Sequence, residues 1–79
     1  MENTYFVSFK LYNGQNKGWA YKIELKTTDL AEAERKYGEL IKTYYGLAPF
    51  VFGCIRVEDM FGNEIENKYW SVEAAPEEV

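Results

Sequence analysis

Cys54 is the only cysteine in the chain, and it stands two residues before Arg56 in the run Phe50-Val51-Phe52-Gly53-Cys54-Ile55-Arg56. Residues i and i+2 share a face of an extended strand, so the guanidinium would lie beside the sulfur and favour the nucleophilic thiolate. Nothing else completes a nucleophilic site. The chain has no histidine, which removes the usual general base near neutral pH, the commonest metal ligand and the usual triad partner. An inert strand cysteine is the better reading, and no enzymatic activity is expected.

The other chemically capable group is acidic. Glu58, Asp59, Glu64 and Glu66 bracket the segment Met60-Phe61-Gly62-Asn63 and could gather oxygen ligands for a hard cation. Their spacing does not reproduce a calcium loop, in which ligands alternate around a glycine at a fixed place. Solvated carboxylates that discourage edge-to-edge strand pairing account for them better. Asn13-Gly14-Gln15-Asn16-Lys17-Gly18 bears glycines, yet it joins two strand-like segments and opens no helix, so it lacks the geometry that cradles phosphate. No metal and no cofactor are expected.

These residues must be positioned by few elements. From Thr4 to Tyr12, Tyr5, Val7, Phe9 and Leu11 alternate with Phe6, Ser8, Lys10 and Tyr12, the period of a strand. After the glycine and asparagine turn, Trp19, Tyr21, Ile23 and Leu25 alternate with Ala20, Lys22, Glu24 and Lys26, which closes a hairpin. At Thr27-Thr28-Asp29 the period changes, and Leu30, Ala33, Tyr37, Leu40, Ile41 and Tyr44 recur at helical spacing. Asp29 suits the N-cap with Glu32 completing a capping box, while Gly46 and Pro49 end the helix. Gly38 falls inside it, either for close approach to the sheet or tolerated on the exposed side.

Phe50 to Glu58 reads as a third strand, with Val51, Gly53, Ile55 and Val57 on one face. A turn over Asp59–Asn63, with Gly62 at positive φ, leads into a fourth strand from Glu64 to about Val72. Its apolar residues Ile65, Tyr69, Trp70 and Val72 do not share one parity, which a bulge near Asn67 would reconcile. The expected fold class is α+β, a two-layer β-β-α-β-β arrangement with one helix on a four-stranded, mainly antiparallel sheet. The first and third strands are expected at its centre. Residues 1–73 would form a single domain and 74–79 an acidic flexible tail.

One helix covers one face of such a sheet. If Val7, Phe9, Leu11, Tyr21, Ile23, Leu25, Val51, Ile55 and Val57 pack beneath it, then Phe6, Tyr12, Phe50, Phe52 and Trp70 lie on the opposite face. A patch of that size exceeds what monomers usually leave exposed, and tyrosine and tryptophan are enriched at binding hot spots. The formal charge of −4 is unevenly spread, +2 up to Thr28 and −5 from Cys54 onward. That gradient disfavours phosphate-backbone binding and favours a positively charged partner.

The expected function is therefore a non-catalytic protein-binding module, with Phe6, Tyr12, Phe50, Phe52 and Trp70 as its aromatic contacts and Glu58, Asp59, Glu64 and Glu66 as its acidic ones. A structural homodimer or assembly subunit is one alternative. The other is a single-stranded nucleic-acid binder, stacking bases on Phe6, Phe50, Phe52 and Trp70 beside Lys10, Lys17 and Lys22, which the net acidity disfavours. A lone cysteine, no basic and apolar leader, and no apolar run long enough to span a bilayer point to a cytoplasmic setting without membrane contact.

The plan Lys22-Ile23-Glu24-Leu25-Lys26, then Thr28-Asp29-Leu30-Ala31-Glu32-Ala33 opening a helix, then Ile55-Arg56-Val57-Glu58-Asp59 and a glycine turn, resembles small accessory proteins of phages and mobile elements, including anti-CRISPR inhibitors of host defence. The resemblance covers the middle of the chain and carries no family residue across. It implies inhibition of a host protein complex by binding.

Overall fold

A computed structural model of the chain describes residues 3–47 and 49–71. The tail expected at 74–79, and Val72, lie outside the described residues. The elements follow the expected order: β1 (Tyr5–Asn13), β2 (Gly18–Thr27), α1 (Leu30–Tyr44), β3 (Phe50–Asp59) and β4 (Glu64–Ser71). The strands form one antiparallel sheet in the order β2-β1-β3-β4. β1 and β3 are thus central, and α1 connects the two hairpins across one face. The result is a two-layer α+β fold.

Local chemistry sets the ends of α1. The Asp29 side chain accepts from the Ala31 N–H at 3.0 Å, filling the N-cap role. Glu32 does not complete the expected capping box. It accepts from the Thr27 hydroxyl, and that hydroxyl oxygen accepts from the Asp29 N–H at 3.0 Å, so threonine relays the bond that a capping box makes directly. At the other end, Tyr45 (φ −62°, ψ 117°) and Gly46 (φ 70°) bring the Leu47 N–H to the Tyr44 carbonyl at 3.1 Å. This is a type II turn, whose third residue needs the positive φ that glycine adopts without strain.

The core lies between α1 and the sheet and consists of Val7, Phe9, Leu11, Ala33, Leu40, Ile55 and Val57. Leu25, Leu30, Tyr37, Ile41, Tyr44, Phe50 and Trp70 pack around it. Each large apolar side chain removed from water contributes about 1.5–3 kcal/mol. Tyr44 closes one end, its ring 5.1 Å from Phe9 and 5.5 Å from Phe50.

Three bulges decide which side chains share that layer. Val7 pairs with Leu25 but Ser8 with Ile23, so Glu24 is an extra residue in β2. A bulge places two residues opposite one and resets the alternation. Leu25 therefore faces the helix, as expected, whereas Tyr21 and Ile23 lie on the opposite face, contrary to expectation. In β3, Tyr12 pairs with Phe52 but Asn13 with Phe50, making Val51 the extra residue. Phe50 consequently packs with Tyr44 on the helix side, not on the open face, and Val51 lies against the Asn13–Gly18 loop near Gly14.

In β4, Val57 pairs with Glu66 but Glu58 with Glu64, so the bulge falls at Ile65, two residues before the expected Asn67. Trp70, paired with Gly53, then projects beneath the helix layer against Tyr45, 5.1 Å between ring centroids, and not onto the open face.

Candidate functional site

The face of the sheet away from α1 is built from cross-strand rows read across β2, β1, β3 and β4. The first row is Trp19, Tyr12, Phe52 and Ser71, and the second is Tyr21, Lys10, Cys54 and Tyr69. The third is Ile23, Ser8, Arg56 and Asn67, and the fourth Lys26, Phe6, Glu58 and Glu64. Six aromatic rings thus share one surface. Trp19 is 59% exposed, Tyr21 58%, Tyr69 55% and Phe52 44%, far above what a packed layer would leave to water.

The rings of the first row form a continuous strip. Tyr12 sits 5.1 Å from Trp19 and 5.8 Å from Phe52, with both pairs tilted, within the range in which rings attract. Lys10 Nζ lies 5.1 Å from the Trp19 ring centroid, and Lys26 Nζ lies 6.0 Å from that of Phe6. These are cation–π contacts that keep the lysines on the face. A shallow hollow of about 460 Å³ runs along the strip, from Lys10 and Trp19 across Phe52, Gly53 and Cys54 to Tyr69, Trp70 and Ser71. Ser8, in the middle of the face, is only 2% exposed, and its hydroxyl has no partner among the described residues.

Of the expected aromatic contacts, Phe6, Tyr12 and Phe52 lie on this face, while Phe50 and Trp70 lie under the helix. Two of the four rings expected to stack bases are therefore on the wrong side for that task. Sequence reasoning missed Trp19, Tyr21, Ile23 and Tyr69. The uneven parity of β4 was a usable signal for a bulge there; nothing in the alternation of β2 marks Glu24 as one.

The four acidic residues separate. Arg56 bridges Glu58 at 3.7 Å and Glu64 at 3.1 Å on the open face, and the Tyr69 hydroxyl donates to Glu64 at 2.9 Å. That bond to Glu64, together with lost hydration, pushes the Tyr69 phenol above its usual value. Asp59 belongs to the turn, where its carboxylate accepts from the N–H groups of Phe61 and Asn63, each at 2.9 Å, and from Asn63 Nδ2 at 3.1 Å. Lost hydration raises its pKa, but these bonds prevail and hold it below the ordinary value. Gly62 takes the expected positive φ, 85°.

Glu66 is on the helix side with Glu34. A hydrogen bond with Glu34, partial burial and repulsion from Glu34 push the Glu66 carboxyl upward. Among the described residues, no group of three or more Cys, Asp or Glu side chains is placed to hold a metal ion, and no helix is long and apolar enough to cross a membrane.

Fold and surface together define a class: a small two-layer α+β domain in which, among the described residues, a helix covers one sheet face and leaves the other open. No protein-family model matches the chain, and no curated protein or solved structure is significantly similar to it.

Proposed function

We propose that this protein is a non-catalytic protein-binding module that acts through the open face of its sheet. The observation that carries the reading is the gathering of Phe6, Tyr12, Trp19, Tyr21, Phe52 and Tyr69 on one face with no helix over it among the described residues. Large amphipathic rings held rigidly on strands lose little conformational freedom when covered, and such residues dominate binding energy at the centres of protein interfaces. The face is apolar toward Trp19 and charged toward Lys26 and Glu64, the arrangement of a hydrophobic contact area with a polar border. Arg56 offsets one of the two charges of Glu58 and Glu64, so the reading rests on the rings more than on an acidic patch seeking a basic partner.

Photo-cross-linking in the cells that make the protein tests this. A benzophenone side chain at position 52, on the open face, is expected to give a discrete protein adduct. The same group at position 61, in the exposed β3–β4 turn, is expected to give none. Equal or absent labelling at both positions would sink the proposal.

A further inference from the structure

We infer that the occupant of the open face is a second copy of this chain, docked face to face about a two-fold axis that lies between the two sheets and runs along the strands. The inference rests on the reading of that face as a docking surface. With the order β2-β1-β3-β4, such an axis lays β2 of one copy over β4 of the other and β1 over β3, and it returns each cross-strand row to itself. The face is self-complementary under that operation in both shape and charge.

Shape is carried by the first row. It begins on β2 with Trp19, which projects 59% exposed and forms one wall of the hollow, and ends on β4 with Ser71 at the far wall, with Phe52 and Cys54 along the floor. The two-fold sets the Trp19 indole of each copy over the Ser71 end of the other copy's hollow, across from the Trp19 that walls its near end. Tyr12 meets Phe52 between them. Large side chains over small ones are how two facing sheets interdigitate at a spacing of about 10 Å.

Charge is carried by the fourth row. Its cation, Lys26, is on β2, and its carboxylates, Glu58 and Glu64, are on β3 and β4. The same axis sets Lys26 opposite the second copy's Glu64, at the border where ion pairs orient a complex. The other in-plane axis, perpendicular to the strands, would lay the first row over the fourth, setting Lys26 over Trp19 and Glu64 over Ser71, and would bring no opposite charges together between the copies. Only the axis along the strands pairs Lys26 with Glu64.

The area approaches what a stable interface needs. Four strands spaced about 4.8 Å apart and eight residues rising about 3.3 Å each project to about 500 Å², and side-chain relief brings the accessible surface toward the roughly 800 Å² per partner of a stable interface. A chain of 79 residues also has little core of its own, the circumstance in which association commonly supplies stability.

Sedimentation equilibrium of the intact chain over low-micromolar to near-millimolar concentration tests the inference. The native protein is expected to pass from monomer to dimer mass. Trp19→Ser, checked for an unchanged circular dichroism spectrum, should weaken the dimer at least tenfold. Lys26→Glu and Glu64→Lys should each weaken it several-fold, and the double exchange should restore it. A monomer at every concentration would overturn the second copy as occupant while leaving the docking face to a different protein. A dimer indifferent to Trp19→Ser would overturn both readings, and failure of the double exchange to restore affinity would overturn the two-fold arrangement.

Discussion

Gly53 shows how one residue organises the sheet. A Cβ at that position would lie 2.5 Å from Trp70 Cη2 and 2.8 Å from Leu11 Cδ2, so the indole occupies the space that a side chain would fill. Gly53→Ala must displace Trp70, and overpacking of this kind costs about 1–3 kcal/mol. Urea denaturation should read that loss. Glu66 makes a pH-dependent counterpart. It keeps its proton to higher pH in the folded chain than in the unfolded one, so its contribution is complete below the unfolded value and is lost as pH rises through the folded value. Glu66→Gln is expected to melt higher than the native chain at pH 7, by about 0.5 kcal/mol for a pair so near the surface, with the difference closing below about pH 4.

The helix was the most legible element. Its apolar spacing, Asp29 cap and Gly46 stop are consequences of neighbours within a few residues, and all three stand where the sequence places them. Gly38 was ambiguous, because packing against the sheet and mere tolerance call for the same residue. A Cβ there meets nothing within 4 Å. Gly38→Ala should accordingly stabilise the fold by about 1 kcal/mol through helix propensity, visible as a higher thermal midpoint. The strands were legible as strands but not as faces. In β2 the stripe Trp19, Tyr21, Ile23 and Leu25 keeps perfect alternation in sequence, yet the bulge at Glu24 divides it between two surfaces. Glu24 itself turns toward the helix, 3.8 Å from Lys36 Nζ and 3.4 Å from Lys22 Nζ.

Across the whole molecule, apolar residues serve two ends. Val57 is fully buried beneath α1, whereas Tyr21 is 58% exposed on the other face. Val57→Ala should cost about 2–4 kcal/mol, the range for a core truncation that leaves a cavity. Tyr21→Ser at low protein concentration should change stability by no more than about 0.5 kcal/mol, the usual scale for surface substitutions. Chemical denaturation of both variants checks this separation of a stabilising layer from a contact layer. Equal losses would mean that Tyr21 is part of the fold and not of a docking surface.

By itself the sequence determined the number and order of the elements, the helix ends, the turn glycine Gly62 and an aromatic content too large for one core, because each of these follows from local conformational preference and the total of apolar side chains. The tertiary structure alone decided which aromatics face outward. Phe50 and Phe52 share a parity, as do Ile23 and Leu25, and only the ladder partners on β1 separate them. Strand register is a property of two chain segments far apart in sequence, and a single unpaired residue inverts every side chain on one side of it.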